Sequence, residues 1–438
     1  MYNKFRKVES IMRNDLSYLK DKIITNYIYK KNGFIVASKT SKTLRTRNQI
    51  TASYDSILKK LKTKDKIRVA FYVFEKAKWK TDSLYKLMKS DDRFEPFVIL
   101  GFTMGRDVSY SKETKKEKFN FLLEFFKSKG IECKLGYDIE CNKHIPLKQY
   151  NPDIVFFQQH VWNAKINDID EVSKYALCCY VPYNVPNYGN AKYDYSEWCT
   201  KLFRFYCLND NLKEHYKKIC GFTNNIKTTG HPALDLFYIN KDKITDKKYI
   251  IYAPHFSIQH PLSKCHFYYS TFTYNSKLIL EYAKKHPEYT WVFKPHPNLK
   301  ETLGEMNVPK YCIEDYYNEW QKIGIVSLDS DYYEYFANSK AMLTDCGSFL
   351  TEYFCTNKPL IHMINPNSIN WPCKEMEPMF NCFYETHDNR ELIETLDRII
   401  EKDDDYKAEL RNETLQNLKF ANQYAAKNII DDLVSVIS

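Results

Sequence analysis

The stretch AMLTDCGSFLTEY, residues 341–353, decides the fold class of this 438-residue chain. Its apolar start, Ala341 to Thr344, has the length and composition of a buried strand. The polar segment after it opens a helix that runs through Glu352 and Tyr353. A buried strand that turns directly into a helix is typical of a parallel sheet, so the pattern predicts an α/β domain.

Further strand-like runs surround this unit and alternate with helical patterns, which indicates a parallel sheet with helices on both faces. Residues 241–388 are therefore predicted to form one doubly wound, Rossmann-like domain, followed by one or two amphipathic helices in residues 389–438. The predicted strands are Tyr249 to Ala253, Thr290 to Lys294, Ile323 to Ser327, Ala341 to Thr344 and Pro359 to Met363.

The first half of the chain repeats this alternation, with a helical pattern from Lys115 to Lys129 as an example. Residues 67–240 are predicted to form a second Rossmann-like domain that ends near Thr229 to Asp235, with Lys241 to Lys248 as a connector. Its predicted strands are Ile67 to Val73, Phe97 to Gly101, Asp153 to Gln158, Leu177 to Val181 and Arg204 to Leu208. Two such sheets in series predict a cleft that is lined by the residues after each strand.

Composition narrows the class of protein. Hydrophobic residues make up 44% of the chain and aromatic residues 16%, as expected of a globular protein. The 13 cysteines are odd in number and include no Cys-x-x-Cys pair, which favours reduced thiols over disulfides or a cysteine-based zinc site. No apolar run approaches a membrane span and no signal peptide is evident, so we expect a cytoplasmic protein.

Positive charge is concentrated at the N-terminus. Residues 1–66 contain 17 Lys and Arg against 5 Asp and Glu, a net charge of +12 in a chain whose total is +10. Helices in Val8 to Ile28 and Ser53 to Leu61 are predicted within this segment. It suits peripheral contact with the anionic inner face of the cell membrane, or a solvated helical face on the first domain. Nucleic-acid binding is disfavoured, because it would leave the other 372 residues unexplained.

Polar side chains follow three predicted strands of the second half, and they point to a nucleotide diphosphate. Gly347 and Ser348 open a helix, where backbone amides, a close approach and a hydroxyl suit phosphate. Glu352, one turn further, is placed to reach the hydroxyls of a ribose. The donor-binding candidates are Ser257, Lys294, Thr344, Asp345, Gly347, Ser348 and Glu352, and His255 and His296 are catalytic candidates.

Each candidate also has a structural interpretation. Asp and Ser are ordinary helix caps, and His296 between two prolines is suited to shaping a turn. Lys294 would equally serve as a surface lysine. Four histidines receive no functional role, namely His144, His215, His286 and His387, and four stay undecided, namely His231, His260, His266 and His362.

Taken together, the three strand ends and the Thr-Gly-x-Pro-x-x-Asp segment at Thr229 to Asp235 resemble the CDP-glycerol glycerophosphotransferase family. The resemblance is strongest from about Lys227 to Met363 and implies a GT-B fold and the synthesis of teichoic acid or capsule polymers. It also implies that His296 lies beside the donor pyrophosphate. The segment Thr344 to Ser348 is similar to the Thr-Asp-Ser-Gly-Gly-x-x-Glu-Glu element of nonhydrolysing UDP-GlcNAc 2-epimerases, which implies that Glu352 lies at or beside the ribose.

The first half departs from the family pattern. Family polymerases share a Trp-His-Gly-Thr-Pro-Leu-Lys segment whose histidine is taken as the base, and this string is absent here. After the strand Ile154 to Phe157 the chain has instead Gln158-Gln159-His160-Val161-Trp162. His160 is therefore the candidate catalytic base, and the segment Tyr180 to Asn184 is expected to line the acceptor side.

The expected function is a metal-independent transfer of glycerol phosphate, or a related phosphoalditol, from a CDP-linked donor to a saccharide or lipid-linked acceptor. The alternatives are a GT-B glycosyltransferase that uses a nucleotide sugar and a UDP-GlcNAc 2-epimerase-like enzyme. No cofactor is expected, and Asp329-Ser330-Asp331 is interpreted as a helix cap rather than a metal site. The phosphate-loop and dinucleotide fingerprints are missing, which disfavours ATPases and dehydrogenases.

Overall fold

The computed structural model describes residues 50–104, 106–160, 163–183, 197–220, 224–240, 249–261, 268–329, 332–368, 373–419 and 424–437. The chain divides into two compact units, Met1–Ser53 and Tyr54–Ser438. Of the first unit only residues 50–53 are described, and they are helical. Most of the basic segment, including the helix predicted at Val8 to Ile28, therefore lies outside the described residues, as do the connector Lys241 to Lys248 and His266.

Seven parallel strands form the first sheet of the larger unit, in the order β3-β2-β1-β6-β7-β8-β9. Two short strands, β4 and β5, pair as an antiparallel hairpin beside it. The adjacent central strands β1 and β6 are apolar and buried almost throughout. Because both of their faces are buried, this sheet needs helices on each side. In chain order the strands are β1 Ile67–Val73, β2 Phe94–Leu100, β3 Cys133–Leu135, β4 Tyr137–Asp138, β5 Lys143–His144, β6 Ile154–Phe157, β7 Leu177–Tyr180, β8 Arg204–Cys207 and β9 Ile226–Thr228.

The second sheet has six parallel strands in the order β12-β11-β10-β13-β14-β15. Its order reverses between β10 and β13, which makes it a doubly wound sheet. Together with the first sheet it confirms the predicted pair of Rossmann-like domains. The strands are β10 Tyr249–Ala253, β11 Thr290–Phe293, β12 Gly324–Val326, β13 Ser339–Thr344, β14 Leu360–Met363 and β15 Tyr384–Thr386.

Helices connect and cover the strands. The helices of the larger unit are α1 (54–61), α2 Asp82–Lys89, α3 Lys112–Ser128, α4 Ile169–Val172, α5 Glu197–Thr200, α6 Asp210–Cys220, α7 Asp235–Ile239, α8 Phe272–Lys285, α9 Leu299–Glu305, α10 Lys310–Ile323, α11 Tyr333–Ala337, α12 Gly347–Phe354, α13 Glu377–Phe380, α14 Asn389–Leu396, α15 Ala408–Leu418 and α16 Ala425–Ile437.

The predicted one or two closing helices are too few. Three α-helices, α14 to α16, occupy this region, and a π-helical turn, Asp397–Glu401, extends the first of them. Asp403 and Lys419 have positive φ angles of 50° and 54°, and this left-handed backbone stops helices that the periodic pattern alone would continue.

The last helix returns to the first sheet, because α16 packs against α2. Asp235 anchors it. The two carboxylate oxygens accept hydrogen bonds from the amides of Ala425 and Ala426 at 2.7 and 3.1 Å, and the Ser83 hydroxyl donates to Oδ2 at 2.7 Å. Burial raises the pKa of Asp235 to about 6. The Thr229 to Asp235 segment therefore has a structural task in this fold, since a carboxylate is a favourable partner for a helix N-terminus.

Stacked aromatic rings hold the central strands of both sheets. The ring centroids of Phe71 and Phe156 lie 5.1 Å apart, and those of Phe293 and Trp320 lie 5.2 Å apart. Phe293 ends β11 immediately before Lys294. Truncation of such a buried aromatic to Ala costs about 3–5 kcal/mol, so the strand ends are rigidly placed.

Candidate functional site

The reversal of strand order in the second sheet places two loops side by side. Ala253 at the end of β10 pairs with Thr344 at the end of β13, so residues 254–257 and 345–348 begin at the same edge. Ligands of doubly wound sheets bind at this position. The Thr344 hydroxyl donates to the Ala253 carbonyl at 2.7 Å and accepts from the Cys346 amide, which ties the two loops together.

Asp345 organises these loops from within. Its Oδ1 accepts a hydrogen bond from the His255 amide at 2.5 Å, and its Oδ2 accepts from the amide and hydroxyl of Thr271 at 2.6 and 2.9 Å. Burial raises the pKa of this carboxyl to about 7. Since both oxygens are engaged inside the protein, Asp345 is placed to shape the site rather than to meet a ligand.

Two histidines lie next to each other above this edge. The ring centroids of His255 and His296 are 4.9 Å apart. The Nδ1 atom of His255 accepts from the Ser257 amide at 3.2 Å and lies 2.7 Å from the Ser257 hydroxyl, while Nδ1 of His296 accepts from the Asn298 amide at 3.1 Å. With Nδ1 accepting, the proton of each neutral ring resides on Nε2.

Burial sets the charge of this pair. It lowers the pKa of His296 to about 4, and it lowers the pKa of His255 well below the usual value for histidine. Both rings are therefore neutral near pH 7 and offer Nε2–H as a hydrogen-bond donor. Ser257 is fully buried, and its hydroxyl also accepts from the Tyr269 amide at 3.0 Å, so this side chain holds the loop.

Lys294 follows β11 and is 5% exposed. Its ammonium donates to the Asp329 carbonyl at 2.6 Å and lies over the rings of Tyr332 and Phe349, at 5.3 and 5.9 Å from their centroids. Burial lowers the pKa of Lys294 to about 8. A partly desolvated ammonium of this kind is a strong partner for an anion, because few water molecules compete for it.

Helix α12 starts at the same edge. It begins at Gly347, and its N-cap residue Cys346 makes no side-chain capping hydrogen bond. Ser348 is exposed, and its hydroxyl lies 3.1 Å from the Cys346 sulfur. The start of the helix thus presents backbone dipoles and an exposed hydroxyl, which is the arrangement that attracts phosphate.

Glu352, also on α12, contacts a residue of the first sheet's domain that sequence reasoning missed. The Lys80 ammonium lies 3.1 Å from Oε1 of Glu352 and donates to the Tyr332 hydroxyl at 2.6 Å, and that hydroxyl donates to Oε2 of Glu352. Lys80 lies in the loop after β1. The rule that residues after a strand line the cleft would have found it, had it been applied to the first strand.

His160 lies at the end of β6, on the other sheet. Its ring centroid is 6.2 Å from that of Tyr180 and 6.4 Å from that of Trp198. The neighbouring Gln158 accepts from the Phe74 amide at 2.7 Å, and Gln159 accepts from the Lys78 ammonium at 2.9 Å. These amides hold the loop after β1 next to the His160 segment. Val161, Trp162 and Asn184 lie outside the described residues.

The segment Asp329-Ser330-Asp331, predicted to be a helix cap, is described only at Asp329. The Asp329 side chain is 84% exposed, and its Oδ1 lies 3.8 Å from the Lys76 ammonium. Ser330 and Asp331 lie outside the described residues. Helix α11 follows with Tyr332 as its N-cap residue.

Comparison with known proteins places the fold and the sequence in context. The family model described as CDP-Glycerol:Poly(glycerophosphate) glycerophosphotransferase matches residues 194–435, which is more than half of the chain. Comparison with curated proteins gives no match.

Among solved structures, a histidine-to-asparagine variant of the wall teichoic acid polymerase TagF is similar, with a TM-score of 0.55 and 13% identity over 91% of this chain and 97% of that one. The same variant soaked with CDPG gives a TM-score of 0.53 and 14% identity over 91% and 97% of the two chains. UDP-GlcNAc 2-epimerase from Neisseria meningitidis, bound to UDP-GlcNAc, gives 0.52 and 14% over 84% and 100%. These likenesses confirm the predicted GT-B type of fold.

Proposed function

The chain belongs to the CDP-glycerol:poly(glycerophosphate) glycerophosphotransferase family, and on that premise we propose that it transfers glycerol phosphate, or a related phosphoalditol, from a CDP-activated donor to a saccharide or lipid-linked acceptor. The product would be a capsule or teichoic acid type of polymer. One observation carries the proposal: Lys294, His296 and the start of α12 meet at the switch point of the second sheet, as a diphosphate requires.

The donor diphosphate is assigned to this edge on grounds of charge and hydrogen bonding. Lys294 supplies a partly desolvated positive charge, and Nε2–H of His296 supplies a neutral donor. The exposed Ser348 hydroxyl and the backbone dipoles of α12 complete the set. Glu352 is assigned to the ribose hydroxyls. Lys80 contacts its Oε1 and Tyr332 its Oε2, and each oxygen keeps a lone pair that can accept a hydrogen bond from a ribose hydroxyl.

The proposed reaction is a direct displacement at phosphorus. The acceptor hydroxyl attacks the β-phosphorus of the CDP-activated alcohol, forms the new O–P bond and loses its proton to His160. The bond between the β-phosphorus and the bridging oxygen breaks, and CMP leaves with the electron pair. Lys294, His296 and the start of α12 stabilise the charge that develops on the leaving oxygen.

His160 is assigned to the acceptor side because β6 lies in the first sheet and the donor residues lie in the second. Its half-buried neighbour Trp198 offers aromatic surface, which suits the face of a sugar ring or a lipid-linked saccharide. Tyr180 is fully buried and packs against Trp198. We place the reaction in the cytoplasm, because the eleven cysteines whose side chains the structure describes are free thiols, as in a reducing compartment. Peripheral attachment through residues 1–66 is proposed from their charge alone.

The decisive experiment measures donor binding and turnover with a panel of CDP-glycerol, CDP-ribitol, UDP-sugars and GDP-sugars. We expect a CDP-linked alditol to raise the melting temperature most, and CMP to be released only when an acceptor is present. Stabilisation by UDP-GlcNAc alone, with UDP-ManNAc formed in the absence of an acceptor, would overturn the proposal in favour of an epimerase. Release of a nucleoside diphosphate from a nucleotide sugar would assign the chain to glycosyl transfer instead.

No helix among the described residues is both long and apolar enough to span a bilayer. Attachment is therefore tested on residues 1–66 directly. Vesicles that contain an anionic lipid should sediment with the full chain at low salt, and the association should weaken as salt rises. A chain that lacks residues 1–49 should stay in the supernatant, and equal sedimentation of both chains would refute the assignment.

A further inference from the structure

Three potential metal ligands from distant parts of the sequence meet between α6 and the turn Lys374–Met376. His215 lies on α6, Cys373 is the N-cap residue of the turn, and Glu375 lies within it. Their ligand atoms all lie within 4.8 Å of one another. The Nδ1 atom of His215 is 3.0 Å from Oε2 of Glu375, although 160 positions separate the two residues.

The cluster is shielded from solvent. Cys373 is 4% exposed, and the side chains of His215 and Glu375 are 14% and 11% exposed. The cluster also joins segments that follow the two different sheets. Helix α6 follows β8 of the first sheet, and Cys373 comes after β14 of the second. Within the described part of the chain it is the one group of this kind with three members.

We propose that His215, Cys373 and Glu375 bind a Zn²⁺ ion that links α6 to the turn Lys374–Met376. One imidazole nitrogen, one thiolate sulfur and one carboxylate oxygen form a donor set of intermediate softness, which suits Zn²⁺ or Co²⁺. Ca²⁺ and Mg²⁺ prefer an all-oxygen shell, so this set disfavours them. A thiolate and a carboxylate together neutralise the charge of a divalent ion, which lowers the cost of burying it.

The geometry is close to that of a bound ion. Zinc–ligand bonds of about 2.0–2.3 Å in a tetrahedron place the ligand atoms roughly 3.3–3.8 Å apart. The His215–Glu375 separation of 3.0 Å is near this range. All ligand atoms lie within 4.8 Å of one another, so closing the set takes about 1 Å or less, which a small rotation about side-chain bonds supplies. Three protein ligands leave the fourth position to water.

The site lies apart from the residues assigned to the donor and acceptor. A bound ion would hold α6 against the loop after β14, where the Asn211 side-chain amide already donates to the Glu375 carbonyl at 3.5 Å. It would therefore stabilise the fold rather than take part in the transfer. A pattern of paired cysteines cannot reveal such a site, since it uses one cysteine.

The alternative is a plain ion pair between His215 and Glu375, with Cys373 as a protonated thiol that binds no metal. Metal binding distinguishes the two, because only a bound ion recruits the Cys373 sulfur as thiolate. The full-length chain, purified without a histidine tag and kept reduced with a phosphine, is stripped with a chelator and titrated with Co²⁺. A Co²⁺–thiolate bond gives a near-ultraviolet charge-transfer band, and Zn²⁺ should then displace the Co²⁺.

We expect one equivalent of Co²⁺ per chain with this band in the wild type, and no band in Cys373→Ser. Competition with a chromophoric chelator should show that His215→Ala and Glu375→Gln lower the Zn²⁺ affinity by about 100-fold or more, since even loss of a residue that only supports a ligand lowers affinity 10–100-fold. Cys312→Ser, which alters an exposed thiol, is the matched control and should bind as the wild type does.

Stability provides a second measurement that does not depend on the spectrum. One equivalent of Zn²⁺ should raise the melting temperature of the wild type and of Cys312→Ser, because a ligand that binds only the folded chain stabilises it. Glu375→Gln retains a hydrogen-bonding partner for His215, so it tests the site even if His215→Ala fails to fold. The proposal is overturned if the wild type binds less than stoichiometric metal, or if the thiolate band persists in Cys373→Ser.

Discussion

The ammonium of Lys80 lies 3.1 Å from Oε1 of Glu352, so a side chain from the loop after β1 reaches the carboxylate assigned to the ribose. The two side chains are 17% and 3% exposed. Tyr332 contacts both of them. The first sheet thus contributes a positive charge directly to the proposed donor site in the second. This relationship predicts that donor binding depends on both domains, which neither half of the sequence indicates by itself.

Loss of Lys80 should weaken donor binding. Lys80→Ala removes the cation that orients Glu352 and adds positive charge at the proposed donor site. We expect the donor Kd to rise by up to about 10- to 100-fold, the equivalent of one charge-assisted hydrogen bond of about 1.5–3 kcal/mol. Isothermal titration with CDP-glycerol measures it. Lys86→Ala, on the exposed face of α2, is the control and should leave the Kd unchanged. A double-mutant cycle with Glu352→Gln should show coupling of more than about 0.5 kcal/mol, and additive effects would contradict the proposed link.

The two proposed catalytic histidines should both be needed for turnover. His296→Ala removes a donor to the leaving diphosphate and His160→Ala removes the base, so each should lower kcat by about 100-fold or more. Release of CMP in the presence of acceptor provides the measurement. The exposed His387, which follows the edge strand β15 and pairs with Glu391, is the matched control as His387→Ala. A variant that keeps near-normal turnover would remove that histidine from the mechanism.

Donor affinity should fall as the pH rises above about 8. Burial lowers the pKa of Lys294 to about 8, so the ammonium loses its proton and its charge between pH 7 and 9. A diphosphate diester keeps the same charge over this pH range. A change of Kd with pH therefore reflects an ionisable group of the protein. Kd values measured from pH 6.5 to 9 should rise steeply in the wild type and stay flatter in Lys294→Arg, because arginine remains protonated. An equal slope in both would show that Lys294 does not hold the donor.

Asp345 should matter for stability. Asp345→Ala leaves the amides of His255 and Thr271 and the Thr271 hydroxyl without their acceptor, which should lower the free energy of unfolding by about 3–5 kcal/mol. Urea denaturation measures this. Asp431→Ala, which breaks an exposed ion pair with Lys427, should cost less than about 1 kcal/mol.

The effect of Asp345→Ala should also depend on pH. Burial raises the pKa of the Asp345 carboxyl from 3.8 to about 7 in the folded chain. The stability that the protonated carboxyl contributes is therefore lost as the pH rises from about 4 to about 7. The difference in unfolding free energy between wild type and variant should be larger at pH 5 than at pH 8. A larger difference at pH 8 would mean that the ionised form is the stabilising one.

Much of the fold could be predicted from local pattern. The runs Ile67–Val73 and Tyr249–Ala253 match strands to the residue, because buried parallel strands are continuous apolar segments between polar turns. Among the described residues, five strands escaped prediction, namely Cys133–Leu135, Tyr137–Asp138, Lys143–His144, Ile226–Thr228 and Tyr384–Thr386. Each has only two or three residues, which is too short for a period to show.

The candidate site could also be predicted in part, because it follows from the positions of the strands. Side chains just after a strand must lie at the carboxyl edge of the sheet, so Lys294, His296 and Ser348 were found from position alone. Position does not reveal which of them face a ligand. In the structure, Asp345 and Ser257 accept hydrogen bonds from backbone amides of the loops, whereas Ser348 is exposed.

By itself the sequence determined the two doubly wound sheets and the chemistry at their strand ends, because both follow from the order of apolar and polar residues along the chain. The tertiary structure decided the rest. Burial lowers the pKa values of His255 and His296, and folding brings Lys80 to Glu352 and His215 to Cys373 and Glu375. Desolvation and contacts between residues far apart in the chain depend on three-dimensional packing, and no local pattern encodes them.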